Sequence, residues 1–263
     1  MAAEETVTQV ICGFHPVEEA LQKGTRALGA LYLAAGRDSS RARRLATLAR
    51  SRGLKVKHVD TRTLDRMTAA GNHQGVAATV EAKSARDLDD YLGDIEGAPR
   101  VLVLVLDGVQ DPHNLGAVIR NCSLNGAGAV VLPKDRTTGI TPTVGKVAAG
   151  ALEYVEIVRV GNLAAALRKL KEEQFWVHGA DPGGDVELQD ADFRGRVAIV
   201  VGEEHRGLRR LTKEHCDSLV RIPSTGRVAS YNMATASGLF LFTAFLQQRS
   251  TAPSKGPKDQ KIC

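Results

Sequence analysis

The chain has 263 residues, 43% hydrophobic and 4% aromatic: enough apolar material for one large or two small folded domains, and too few rings for an extended aromatic recognition platform. Its net charge is +5, no apolar run reaches membrane-spanning length, and Met1-Ala2-Ala3-Glu4-Glu5 lacks the basic start and apolar core of a secretory signal, so a cytoplasmic protein is expected. Cys12, Cys122, Cys216 and Cys263 are scattered without a Cys-x-x-Cys pair, and His205 and His215 beside Cys216 do not make a ligand set; free thiols in a reducing compartment and no metal are expected.

From Val10 to about Lys83 the pattern alternates. A helix is expected around Val17 to Lys23, a strand near Ala30 to Ala34, then a basic helix, a strand at Leu54 to Val59, a short helix from Thr63 to Ala69 and a strand at Val76 to Glu81. Together these make a small α/β domain over residues 1–83. The charge surplus lies here, with 13 Lys and Arg against 8 Asp and Glu in residues 1–83 and 22 of each in residues 84–263. Arg41, Arg43, Arg44, Arg50, Arg52, Lys55 and Lys57 fall in a stretch without an acidic residue, interleaved with Leu45, Ala46, Leu48 and Ala49 at helical spacing. Such a face suits nucleic-acid phosphates, although a solvated helix surface has the same pattern.

Residues 84–99 carry Asp87, Asp89, Asp90, Asp94 and Glu96 before Gly97-Ala98-Pro99 and read as a helix-bearing linker. Beyond it, strands are expected at Val101–Leu106, Ala129–Leu132, Tyr154–Val160, Phe175–Gly179, Val197–Val201 and Leu219–Ile222. Helices intervene at Leu115–Asn125, Pro142–Leu152, Leu163–Glu173 and Leu208–Glu214, and a long apolar helix runs from about Asn232 to Gln248. Strand alternating with helix predicts a parallel sheet covered on both faces over residues 100–250. Residues 251–263, rich in Pro, Lys and Ser without apolar periodicity, are expected to be a disordered tail.

Three segments concentrate polar groups where strands end. The first runs Leu106-Asp107-Gly108-Val109-Gln110-Asp111-Pro112-His113-Asn114-Leu115-Gly116-Ala117-Val118-Ile119-Arg120, from an apolar strand through an Asp/Gly/Pro turn into a helix. The carboxyl edge of an open α/β sheet is where ligands bind. The second is Val200-Val201-Gly202-Glu203-Glu204-His205-Arg206-Gly207, and the third Ile222-Pro223-Ser224-Thr225-Gly226-Arg227-Val228-Ala229-Ser230-Tyr231-Asn232. Any one is weak, since Asn114, Ser230 and Asn232 can each serve as helix caps.

In this order and at these distances the three blocks resemble the motifs of the SpoU (TrmH-like) RNA ribose methyltransferases, within that group most closely those acting on a guanosine ribose of large-subunit ribosomal RNA. The similarity runs from about Ile11 to Arg249 and includes Gly13-Phe14-His15-Pro16-Val17 and Asn72-His73-Gln74-Gly75-Val76. It implies S-adenosylmethionine as cofactor and a C-terminal SPOUT-type sheet with a deep trefoil knot, otherwise exceptional in proteins. It further implies an N-terminal RNA-binding domain like ribosomal protein L30e, a homodimer, and ribosomal RNA or its precursor particle as partner. Asn114, Arg120, Glu204, Ser230 and Asn232 match the catalytic positions, with Arg120 activating the hydroxyl and Asn114 or Glu204 orienting it or the ribose; the cofactor is expected against backbone near Gly202, Ile222 and Tyr231.

An arginine stays protonated in a protein. Arg120 is therefore expected to stabilise negative charge on the attacking oxygen, while a substrate phosphate or Glu204 carries the proton. Tyr231 stands where the family usually has Leu, Met233-Ala234-Thr235-Ala236 replaces a more usual Val-Ser-Val-Ala-like run, and residues 203–206 are unusually charged, which bears on pocket shape and RNA choice. Two alternatives stay open: a methyltransferase for transfer RNA or antibiotic resistance, and a noncatalytic ribosome-binding or assembly protein. A dinucleotide-dependent oxidoreductase is disfavoured, because Asp107-Gly108-Val109-Gln110-Asp111 lacks the Gly-x-Gly-x-x-Gly phosphate cradle.

Overall fold

The computed structural model describes residues 8–36, 39–69, 72–204, 206–226 and 230–250; the expectations for the extreme N-terminus, His205 and the tail 251–263 lie outside the described residues. Two sheets organise the chain. The smaller joins β1 (Thr8–Cys12), β2 (Leu28–Ala34), β3 (Lys55–Val59) and β4 (Val76–Glu81) in the order β1-β4-β2-β3, with only β2 and β3 parallel. Helices α1 (Phe14–Lys23) and α2 (Ser40–Ser51) pack Val17, Leu21, Leu45 and Ala49 against Leu31, Leu33 and Val76, while Leu64 of α3 (Thr61–Met67) meets Ala34 and Ala77. The basic run is helical because its alanines and leucines repeat on one face and the Ser39 side chain accepts the Ala42 N–H at its start. The arginines are left facing outward.

The larger sheet has seven strands, all paired in parallel: β5 (Val101–Leu106), β6 (Ala129–Pro133), β7 (Glu156–Val160), β8 (Trp176–Ala180), β9 (Val186–Glu187), β10 (Arg196–Val201) and β11 (Ser218–Arg221). Their order is β7-β6-β5-β10-β8-β11-β9. Every residue of β5 is buried: Leu102, Leu104 and Leu106 enter one core and Val101, Val103 and Val105 the other. This is the pattern of a strand covered on both faces. The leucine face is capped by α5 (Pro112–Leu124), α6 (Pro142–Ala148) and α9 (Met233–Ser250), the valine face by α4 (Leu88–Asp94) and α7 (Leu163–Glu172). From β5 the chain winds outward to β6 and β7, then restarts at β8 on the other side of β10, so the carboxyl ends of β5 and β10 flank a topological switch point.

Several boundaries differ from the sequence reading. The helix expected to reach Leu152 stops at Ala148 because Ala149 and Gly150 are left-handed, at φ 51° and 94°; a 3-10 turn, Ala151–Glu153, follows, and β7 begins only at Glu156. The acidic stretch is seated on the large sheet, with Leu88, Tyr91 and Leu92 in its core and Arg86 bridged to Val158 of β7. The two sheets meet through polar contacts. Thr25 Oγ1 donates to Glu153 at 2.7 Å, Arg26 pairs with the same carboxylate, and Lys83 lies 3.2 Å from Glu156.

Candidate functional site

The loops after β5 and β10 and the segment before α9 converge at that switch point. After β5, the Asp111 side chain accepts the His113 N–H at 2.9 Å and Pro112 occupies the first turn of α5, which sets Asn114 at the helix start. That backbone hydrogen bond holds the exposed Asp111 carboxyl below its ordinary range. After β10 the chain doubles back so tightly that a Cβ on Gly202 would overlap the Gly207 carbonyl, and the Gly207 N–H closes the turn on the Glu203 carbonyl at 2.8 Å. Buried Asp107 ties the two loops together: it accepts the Arg209 N–H at 2.8 Å and Arg209 Nε at 2.6 Å.

Three side chains, one from each segment, form a closed hydrogen-bond network. Asn114 Nδ2 donates to Glu204 Oε2, Asn232 Nδ2 donates to Glu204 Oε1 and also to Asn114 Oδ1, each at 3.0 Å. The orientation of Asn232 follows from its other end, where Oδ1 accepts the N–H groups of Ala234 and Thr235 at 2.9 and 3.3 Å. With that oxygen spent on capping α9, the amide nitrogen must face the acceptors. Asn232 is both a helix cap and a site residue.

Beside the network lies a cavity of about 640 Å³, within the size range of cofactor sites. Gly202, Ile222 and Tyr231 line it, as do Glu204 and Ser230; Val201, Val220, Met233 and Phe240 supply its apolar wall. Backbone near Gly202 and Ile222 can present amide and carbonyl groups to a flat heterocycle, and the tight turn at Gly202 leaves that edge free of a side chain. The donor set fits a nucleoside-bearing cofactor better than a metal: among the described residues no three His, Cys, Asp or Glu side chains gather.

Arg120 and Ser230 stand apart. Arg120 is exposed on α5, six residues beyond Asn114, about 9 Å along the axis and about 120° around it. Among the described residues its side chain takes no hydrogen bond or ion pair; Asn114 and Glu204, expected to orient it, bind each other and Asn232 instead. Ser230 lines the cavity and has no hydrogen bond with the described residues. The sequence reading missed the outer wall, built by Asp181, Pro182 and Gly183 after β8 together with Glu187, Lys213 and Arg221. The Asp181-Pro182-Gly183-Gly184-Asp185 run ending an apolar strand was the available signal.

Residues 101–242 match the SpoU rRNA Methylase family, and residues 10–85 match RNA 2′-O ribose methyltransferase substrate binding. The chain is 44% identical, over 94% of its length and 99% of the relative's, to the 23S rRNA (guanosine-2′-O-)-methyltransferase RlmB of Ralstonia nicotianae. It is 43% identical over 91% of its length, and 96% of the relative's, to the enzyme of that name from Pseudomonas syringae pv. tomato. Its fold is similar, at TM-score 0.76 and 26% identity over 95% of this chain and 90% of the other, to the AdoMet-bound rRNA methyltransferase of Sinorhizobium meliloti. A crystal structure of an RNA 2′-O ribose methyltransferase gives TM-score 0.77 at 25% identity, over 93% of this chain and 90% of that one.

Proposed function

The chain belongs to the SpoU family of RNA ribose methyltransferases, and from that membership we propose that it transfers a methyl group from S-adenosylmethionine to a guanosine ribose 2′-hydroxyl of 23S ribosomal RNA, as an enzyme of the cytoplasm where ribosomes assemble. The observation that carries this reading is the Asn114–Glu204–Asn232 network set against the cavity lined by Gly202, Ile222 and Tyr231. The cofactor, when bound, supplies an electrophilic methyl group. Gly202, Ile222 and Tyr231, which line the cavity, would hold it, and the apolar wall of Val201, Met233 and Phe240 would keep water from it.

Glu204 accepts one amide hydrogen bond on each oxygen and keeps lone pairs with which it can take the 2′-hydroxyl proton. Asn114 and Asn232 fix the direction in which those lone pairs point, and Ser230 offers a hydroxyl to the ribose. Arg120, always charged, stabilises the developing alkoxide. It reaches the site through a homodimer. Helix α9 is apolar around its circumference, with Phe240, Leu241 and Ala244 in the core and Leu239, Phe242 and Leu246 exposed, a pattern that calls for a covering partner. Leu124, one turn beyond Arg120 on α5, is 69% exposed. A second copy seated on these residues would carry Arg120 into a site shared by two protomers. The knot of the family and the L30e-like fold of the N-terminal unit belong to the same reading.

The test is transfer of labelled methyl from S-adenosylmethionine to unmodified 23S ribosomal RNA, with Arg120→Ala in parallel and nucleoside mapping of the product. A single 2′-O-methylguanosine, lost in the variant, is expected. Transfer to transfer RNA alone would overturn the ribosomal assignment, and unchanged transfer by Arg120→Ala would remove that residue from its role.

A further inference from the structure

The N-terminal unit has a cavity of its own, about 380 Å³, which the transfer chemistry does not use. It opens where the parallel strands β2 and β3 end beneath α2. Leu33, Ala34, Ala42 and Ala46 make its floor, none more than 8% exposed. Arg43, Thr47 and Arg50 of α2 and His58 of β3 make its rim, all of them exposed, and among the described residues no carboxylate lines it. Arg43 and Arg50 are seven residues apart, hence on one side of the helix and about 10 Å from each other. The result is a slot with an apolar bottom and a guanidinium at either end.

The other cations here, Arg43 included, have other work. Arg44 pairs with Glu18 at 3.0 Å, Arg52 donates to the Gln22 carbonyl at 2.7 Å, Arg41 lies over the Phe14 ring and Lys57 over Tyr32. Arg50 makes no side-chain hydrogen bond or ion pair with the described residues. A merely solvated basic face needs no recess beneath it, and a phosphate patch needs no apolar floor. The slot has both.

We propose that it receives one unpaired nucleotide of the substrate RNA, the base lying on the alanine floor and a flanking phosphate meeting Arg50. A base buries its apolar face on such a floor, and a guanidinium plane can cover the other face. The volume falls within the roughly 300–1,000 Å³ of small-molecule sites, whereas paired RNA, whose bases are stacked inside a helix, cannot enter. The inference rests on the RNA methyltransferase reading and adds to it a place where the loop is held away from the reacting ribose.

The test uses the full-length protein and an unmodified 23S ribosomal RNA transcript, with binding measured by filter retention and methyl transfer measured separately. Arg50→Ala and Thr47→Trp, the second blocking the slot from its exposed rim without changing charge, are each expected to weaken RNA binding about tenfold, a loss typical of one stacked base. Both should leave kcat and the calorimetric affinity for S-adenosylmethionine within about twofold of wild type. Lys55→Ala, which removes an exposed cation outside the slot, should have little effect. Unchanged binding by Thr47→Trp, with equal losses in Arg50→Ala and Lys55→Ala, would reduce the region to a diffuse phosphate patch and overturn the proposal. Because filter retention needs no turnover, a wild-type protein that binds the transcript but transfers no methyl would sink the enzymatic reading and leave the slot's own test intact.

Discussion

Asn232 does two things that a substitution can separate. Its Oδ1 caps α9 through Ala234 and Thr235, and its Nδ2 ties Glu204 to Asn114. Asn232→Ala removes both. The lost cap costs about 1 kcal/mol and the hydrogen bond to a carboxylate about 1.5–3 kcal/mol, discounted toward the lower end because the residue is exposed. Together these predict a melting temperature lower by roughly 4–8 °C. Asn232→Ser keeps a capping oxygen but has no second group to reach Glu204, so its melting temperature should stay within about 3 °C of wild type. Methyl transfer should nevertheless fall in both variants, by about tenfold or more, since a carboxylate free to rotate loses the alignment on which proximity depends. Thermal unfolding by circular dichroism and single-turnover transfer to the ribosomal RNA transcript provide the two readouts. Full transfer by Asn232→Ser would mean that the residue is a cap and nothing more.

Glu153→Ala should destabilise the chain by about 3 kcal/mol in urea unfolding, because it leaves the buried Arg26 guanidinium without its partner; unchanged stability would show that the contact between the two units carries no energy. His178 is buried, with Nε2 facing the Asp192 carbonyl at 3.0 Å and Nδ1 the Ser218 hydroxyl at 2.8 Å, and burial pushes its pKa below the ordinary value. The folded chain therefore resists a proton that the unfolded chain takes up near pH 6.5. Stability from this site is full above that pH and declines as pH falls below it; His178→Gln should flatten the decline between about pH 7 and 5, and an identical pH dependence in the variant would refute the assignment. Gly202→Val should abolish calorimetric binding of S-adenosylmethionine, since any Cβ there overlaps the Gly207 backbone; binding at wild-type affinity would place the cofactor elsewhere.

The parts of this molecule that were legible in its sequence are those fixed by local periodicity and by motif. The alternation of strand and helix from Val101 onward gave the parallel sheet, because an all-apolar run such as Val101–Leu106 has few homes other than a strand buried on both faces. Asn114, Glu204 and Asn232 were marked by their place at strand ends, and their meeting across 118 residues depends on the order β5-β10 in the sheet, which no local pattern carries. The same holds for the cavity wall at Asp181–Gly183: β9 has two residues, too few for any periodicity. The end of α6 at Ala148 was missed because an alanine at φ 51° gives no sequence signal of the kind a glycine would. Asp107 and Arg209 are far apart in sequence, and the pairing of β5 with β10 together with the closed turn at Gly202 brings them together.

The placement of Arg120 sets the remaining question: it is exposed on α5 and makes no hydrogen bond or ion pair with the described residues, while Glu204 is held by Asn114 and Asn232, and in the proposed homodimer a second chain folds the two surfaces together. If one protomer supplies Glu204 and its partner supplies Arg120, then Arg120→Ala and Glu204→Ala proteins, each inactive alone, should complement when mixed. Random exchange makes half of the dimers mixed, and each mixed dimer contains one site with both residues intact, so about a quarter of wild-type activity should return. Phe242→Glu, which puts a charge in the exposed stripe of α9, should yield monomers in sedimentation and lose transfer while retaining cofactor. Mixed dimers that form, verified by differently tagged protomers, yet recover no activity would assign Arg120 to its own protomer's site and require α5 to shift on RNA binding.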